Sequence, residues 1–279
     1  MPTLVKALLR AAVIVSLGFV AFSAAAATDP ALQAAIDGSQ RSDQNRARDI
    51  WRHPAETLTF FGLRADTTVL EISPGGGWYT EILAPYLRDK GTLFAAAYPG
   101  DIPGESGAYY RKSRAAFEAK LAGAPAIYDQ VKVTDFLPPS RLEIAPEGSV
   151  DLVLTFRNMH NWLDEQGSEA AVMAAAFRAL KPGGVLGIVE HRTQKDVSRQ
   201  EMAQLGYMSE ASVIAAAEKA GFVFEEKSEI NANPRDTQDH PEGVWTLPPT
   251  LALGAKDREK YLAIGETDRM TLRFRKPAP

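Results

Sequence analysis

Three consecutive glycines, Gly75, Gly76 and Gly77, lie in VLEISPGGGWYTEIL (69–83), between a short β-branched run and a helical pattern. Glycines at such a junction let the backbone bend sharply and let a ligand approach with no Cβ in the way. The helix start beyond them offers free N–H groups. Glu71, at the end of the apolar run, is placed to accept from a polar or cationic ligand group. A dinucleotide fingerprint G-x-G-x-x-G starting at Gly75 needs glycine at position 80, where Thr80 stands, which argues against a nicotinamide oxidoreductase. The competing use of these glycines is packing of the turn alone.

The chain has four histidines, His53, His160, His191 and His240. His160 follows SVDLVLTF (149–156) and His191 follows VLGIVE (185–190). An imidazole titrates near neutral pH and can remove a proton from a reacting group; bonding to loop backbone is the bland role for each. Arg157 and Asn158 open the loop that carries His160, and either orient a bound acceptor or hold the loop. Arg192 is a partner for an anionic substrate or a solvated charge. His53, in RHP (52–54), tucks against the same edge or serves the arm alone. Tyr79 is expected to contact a ligand and Trp78 to pack. His160, His191 and His240 with Asp239 show no metal-ligand spacing, so no metal is expected.

These residues need elements to bring them together. TVLEI (68–72), GTLFAAA (91–97), QVKVTDF (130–136), SVDLVLTF (149–156) and VLGIVE (185–190) read as strands, separated by helical patterns over 78–88, 107–122 and from Ser168, a candidate cap, to the KPGG stop (181–184). Ser209 can cap a further helix ended by Gly221, and FVFEEKSEI (222–230) with RMTLRFR (269–275) reads as a closing antiparallel pair. Alternating strands and helices imply a mainly parallel sheet covered on both faces, with ligands at the carboxyl ends of its strands. The glycine turn, His160 and His191 then share one edge. Residues 28–66 read as a helical arm. Residues 231–268 are far longer than a hairpin needs and carry Asp236, Asp239, His240 and Trp245. That insertion is either a lid bearing on an acceptor, with His240 and Trp245 facing it, or a cover for the sheet.

Composition limits the partners. Of 279 residues 45% are hydrophobic and 24% charged, an ordinary globular balance. With 31 Lys+Arg against 35 Asp+Glu there is no basic excess to neutralise phosphates, so nucleic acid is not an expected partner. No cysteine is present, which removes disulfides, thiolate metal sites and cysteine nucleophiles. Residues 1–27 combine Lys6 and Arg10, an apolar run from Ala11 to Phe22, and small residues ending at Ala25-Ala26-Ala27, the pattern of a secretory signal. The expectation is a periplasmic or secreted protein, 28–279 as one domain, with no stable membrane span after signal removal.

Residues 69–83 resemble the first motif of class I S-adenosylmethionine-dependent methyltransferases, an acid followed by x-G-x-G-x-G. Glu71, Gly75 and Gly77 match, and Ser73 replaces the first glycine. DLVLTFRNMHNW (151–162), ALKPGGVLGIVEH (179–191) and SEASVIAAAEKAGFVFEE (209–226) are similar to later motifs of that family, and RHPAETLTFFG resembles a group of exported predicted methyltransferases. The resemblance implies a three-layer Rossmann-like fold, a mainly parallel seven-stranded sheet with an antiparallel last strand. It implies S-adenosyl-L-methionine as cofactor, held by Glu71, Ser73, Pro74, Gly75, Gly77, Tyr79, Tyr98, Asp135, Phe136 and Arg157, with Asp135-Phe136 at the adenine amino group. His160, His191 and Asn158 are the implied catalytic residues, acting on a small-molecule methyl acceptor. One departure stands out: the family's ribose-binding acid at the end of strand two is Tyr98 here, with Asp101 three residues on. A non-catalytic exported binding protein of the same fold is the alternative this departure favours.

Overall fold

The computed structural model describes residues 29–164 and 166–278; the segment read as an export signal lies outside the described residues. Ahead of the sheet stand four short helices, α1 (Pro30–Asp37), α2 (Asp43–Arg46), α3 (Asp49–Arg52) and α4 (Pro54–Phe60). Asp29 caps α1 by accepting from the Ala31 N–H, and Pro30 opens it at the position where a missing N–H costs nothing. Leu32, Ile36, Leu58 and Phe61 bury against Ile82 and Leu83 of the main domain. The Trp78 indole N–H donates to the Asn45 carbonyl at 3.0 Å. Its ring lies between the Arg41 and Arg52 guanidiniums, 4.8 and 4.7 Å from the centroid. The arm is therefore fixed over the glycine turn, with α3 at the sheet's carboxyl edge.

The domain continues β1 (Thr68–Ile72), α5 (Thr80–Leu87), β2 (Thr92–Ala97), α6 (Ala108–Gly123), α7 (Pro125–Tyr128), β3 (Lys132–Asp135), β4 (Val150–Phe156), α8 (Ser168–Ala179) and β5 (Leu180–Thr193). It ends with α9 (Arg199–Leu205), β6 (Met208–Ser209), α10 (Glu210–Lys219), β7 (Val223–Ser228), α11 (Arg258–Ile264) and β8 (Arg269–Arg275). The strand order is β3-β2-β1-β4-β5-β8-β7, with two-residue β6 added on β5. All pairs are parallel except β8, which is antiparallel to both β5 and β7. The expected sheet is thus present, with β6 as an eighth, minimal strand. Side chains alternate between two buried clusters, Leu70 and Ile72 on one face, Val69 and Leu83 on the other, which makes three layers.

Two local expectations are corrected. Ser168 is not the cap of α8 but its first residue, because Asp164 accepts both its N–H and its hydroxyl. The KPGG run does not separate α8 from β5; it is part of that strand.

Because β7 runs parallel to β5, the 231–268 insertion leaves at the carboxyl edge. It returns at Arg269, whose register partner is His191. Asp236 anchors it, accepting from the Tyr207 hydroxyl at 2.9 Å, the Asp268 N–H at 2.8 Å and the His240 ring at 2.8 Å. Among the described residues no helix is long and apolar enough to cross a membrane.

Candidate functional site

A cavity of about 430 Å³ opens at the carboxyl edge, where the glycine turn, the loop after β4, the end of β5, α3 and the insertion meet. A second of about 360 Å³ adjoins it over the end of β2, and the two share Ser73, Pro74, Gly75, Tyr109, Asn158 and Asn161. Both volumes are in the range of small-molecule sites. Gly75 has φ +57°, and a Cβ there would meet nothing within 4 Å, so the space beside it is open to a ligand. Ser73 also has a positive φ, and its buried hydroxyl has no partner. Tyr79 lines the first cavity, stacked on Phe156 with centroids 3.5 Å apart. The Asn158 amide donates to the Ile72 carbonyl at 3.2 Å and the Thr155 hydroxyl at 3.1 Å. Its nitrogen thus ties the loop after β4 to the glycine turn, and the residue lines both cavities.

Several expected residues lie elsewhere. Gly77 lines neither cavity. A Cβ on it would stand 3.1 Å from the Lys120 side chain and 3.2 Å from Phe117, so this glycine serves packing against α6 and its φ of +78°. Asp135 pairs with Arg114 at 2.9 Å and Arg141 at 3.4 Å and faces no cavity. Phe136 is wholly buried, edge-on to Trp162. Asp101 does not reach back to the end of β2, since Arg141 holds it at 2.6 Å; Tyr98 lines the second cavity instead. Arg192 is neither solvated nor in the cavity but pairs with Asp268, Glu210 and Glu229. His240 is locked to Asp236, whereas Trp245, from the same insertion, lines the first cavity with its ring 5.9 Å from His160.

His53 ends α3 in a left-handed conformation and lines neither cavity, whereas His160 and His191 come together, with ring centroids 5.3 Å apart. Glu190, fully buried beside them, accepts from the Met159 N–H at 2.6 Å and the His191 N–H at 2.8 Å. His160 Nδ1 lies 3.1 Å from Glu190 Oε1, the oxygen that also takes the His191 N–H. A carboxylate accepts, so Nδ1 carries the proton and Nε2 keeps its lone pair. His191 is held by the Thr267 hydroxyl at 2.6 Å. Burial, then His160 and the neighbouring arginines, push its pKa well below the ordinary value, so it stays neutral. His160, Glu190 and His191 have ligand atoms within 4.8 Å of one another, a geometry that also admits a metal ion.

Opposite stands a basic wall that the sequence did not reveal. Arg48, just ahead of α3, and Arg52, its last residue, reach Glu266 at 2.6 and 3.1 Å, and Arg269 reaches it at 3.1 Å. Burial pushes the Glu266 carboxyl up, but Arg269, Arg52, Arg48 and Arg157 outweigh it and hold it down at about 2. The i, i+4 spacing of Arg48 and Arg52 was the only sequence signal, and it fits a solvated helix face equally well.

Glu71 faces the cavity buried, its carboxylate accepting from the Thr80 hydroxyl at 2.6 Å. Burial pushes its pKa to about 7, against the pull of that bond, Lys120 and Arg157. The folded state thus keeps a proton that the unfolded chain loses above the ordinary glutamate value of 4.5. Stability is expected to fall as pH rises from about 4.5 to about 7, by up to about 3 kcal/mol from this group. Urea melts of the protein and of Glu71→Gln across that window check it. The variant lacks this loss, and parallel pH profiles for the two proteins refute it.

No family model matches the chain, and no curated protein sequence matches it. Solved structures do. A SAM-dependent methyltransferase from Aquifex aeolicus is 18% identical with a TM-score of 0.50, over 82% of this chain and 93% of that one. The cyclase SpnF is 17% identical with a TM-score of 0.55, over 87% and 86%. A SAM-dependent methyltransferase from Methanosarcina mazei is 11% identical with a TM-score of 0.52, over 80% and 98%. At these identities the likeness is one of fold: a Rossmann-like sheet of the kind these methyltransferases have.

Proposed function

We propose that the protein is an S-adenosylmethionine-dependent methyltransferase acting on a small-molecule acceptor. One observation carries the reading: the open face of Gly75 and His160, whose ring is held from behind by Glu190, border a single cavity, so a cofactor lying on the glycine turn and a base for the acceptor would meet there. The orphaned Ser73 hydroxyl and the Cβ-free space at Gly75 fit such a cofactor. S-adenosylmethionine would supply an activated sulfonium methyl. Glu71, Ser73 and Gly75 would seat its amino-acid part, and Tyr98 would lie by its ribose. His160 Nε2 would take the proton that an oxygen or nitrogen acceptor loses. Trp245 offers the flat apolar face against which an acceptor ring can lie.

Calorimetric titration with S-adenosylmethionine and S-adenosylhomocysteine tests the reading. Binding in the micromolar to low millimolar range is expected, on the order of usual enzyme affinities. Gly75→Val is expected to weaken it at least about tenfold by filling the cavity, at a folding cost of about 1 kcal/mol for the left-handed backbone. Absence of binding at millimolar ligand rejects the reading.

A second reading is a non-catalytic binding protein. The end of β2 favours it, because Tyr98 stands in place of an acid and Asp101 is occupied by Arg141. Binding of S-adenosylhomocysteine with no methyl transfer would select it. Export through residues 1–27 is proposed on their sequence pattern, and N-terminal sequencing of protein from the native host decides it.

A further inference from the structure

Arg157 is unusual in three ways. Its side chain has neither an ion pair nor a hydrogen bond among the described residues, and its Nη1 is buried without a partner. It lines the first cavity. It also adopts φ +61°, in the left-handed region that a non-glycine residue seldom enters and that clusters at functional sites. Arg48 Nη2 and Arg52 Nη1, on the same cavity, are likewise buried with no partner.

We propose that Arg157, with Arg52 and Arg48, forms an oxyanion site for the acceptor, which is therefore a small molecule bearing a carboxylate or phosphate group. The proposal rests on the methyltransferase reading for the word acceptor; the anion site itself does not.

Charge balance supports it. Four guanidiniums, Arg48, Arg52, Arg157 and Arg269, surround the single carboxylate of Glu266. Both oxygens of Glu266 are already taken, one by Arg48 Nε and the other by Arg52 Nε and Arg269. Guanidinium does not deprotonate to escape burial, and a buried charge without a counterion is costly. An oxyanion offsets that cost and takes the planar forks two bonds at a time.

Arg157 shares the first cavity with Glu71, Ser73 and Gly75, and its backbone fixes the side of that cavity on which it stands. The Arg157 N–H bonds the Val189 carbonyl at 2.7 Å, one residue before Glu190, which puts this arginine on the β4–β5 side with His160 and His191. The cavity over β2, where Tyr98 lies, has no arginine in its lining. A metal at His160, Glu190 and His191 fits less well. Glu190 already accepts from Met159 N–H, His191 N–H and His160, and the guanidiniums of Arg157 and Arg52 on the same cavity repel a metal cation.

Calorimetry with inorganic phosphate and with acetate, at fixed ionic strength, tests the site with and without saturating S-adenosylhomocysteine. At least one anion is expected to bind the protein, and to bind equally well with S-adenosylhomocysteine in place. Arg157→Met is expected to weaken anion binding by about 10- to 100-fold, the worth of a charge-assisted bond. It should leave S-adenosylhomocysteine affinity within about twofold and melt no lower than the parent, because no partner is left bare. Arg157→Lys, which keeps the charge but not the fork, should lie between the two. Failure of both anions to bind overturns the proposal. So does loss of anion binding under saturating S-adenosylhomocysteine together with weaker cofactor binding by Arg157→Met, since the arginine then holds the cofactor's own carboxylate. If Arg157→Met does not fold, the competition arm on the parent protein decides alone. Anion binding that depends on Arg157, in a protein that binds no S-adenosylhomocysteine, upholds the anion site and removes the methyltransferase reading.

Discussion

His160→Ala is expected to lower methyl transfer by about 100- to 10,000-fold, the usual worth of a positioned general base. Affinity for S-adenosylmethionine should stay within about twofold, because His160 borders the cavity that holds the acceptor and is absent from the lining over β2. The asymmetry follows from its hydrogen bonds. Glu190 takes the Nδ1 proton, so the nitrogen left for chemistry is Nε2. Removing the ring deletes that lone pair, while the glycine turn is held by Asn158, which the substitution does not touch. The measurement is single-turnover formation of S-adenosylhomocysteine with an anionic acceptor, beside a cofactor titration of the same variant. A loss confined to cofactor affinity would move His160 out of the acceptor half. Unchanged turnover would leave the histidine as a structural partner of Glu190 and nothing more.

The sheet was legible because its signals are local. β1, β2 and β4 are short apolar runs, and β5 contains one after its KPGG start; that pattern marks buried parallel strands. The carboxyl edge as the place of the site follows from that alternation alone. Gly75, Tyr79, Arg157, His160 and His191 all line one cavity because each sits within a few residues of a strand's end. The residues that failed to arrive did so through contacts between elements distant in sequence. Asp135 and Asp101 are claimed by Arg114 and Arg141, and nothing near either aspartate announces that pairing. Gly77 was assigned to the ligand by its place in the motif, but α6 packs on it from about forty residues away. For His240 the sequence leaves open whether it faces an acceptor or serves a cover over the sheet, and Asp236, four residues earlier, captures it. Arg48, Arg52 and Glu266 were missed for the same reason. A buried charge cluster assembled from the arm and the approach to β8 leaves no periodic trace in the sequence.

Glu190→Gln is expected to cost stability and turnover together, which makes it the sharpest check on the pair. The carboxylate is wholly buried and receives three N–H donors, from Met159, His191 and the His160 ring. Glutamine has the same shape but only one acceptor oxygen, and its NH2 brings two more donors into a pocket already full of them. At least one N–H is left facing an N–H, at a cost of about 1–3 kcal/mol for the unsatisfied group. If the amide nitrogen turns toward His160, Nδ1 must become the acceptor, the ring proton moves to Nε2, and the base is lost. Turnover should then fall about as far as in His160→Ala, although the imidazole is still present. Urea melts report the first effect, and nitrogen NMR of the imidazole reports the tautomer. Glutamine could instead turn its oxygen to His160 and the His191 N–H, which share one oxygen of Glu190, and leave only the Met159 amide bare. In that case stability falls while the tautomer and much of the activity survive, so the two readouts separate orientation from catalysis. Full stability with an unchanged tautomer is the result that breaks the assignment, because it would mean that Glu190 accepts none of the three bonds that define the site.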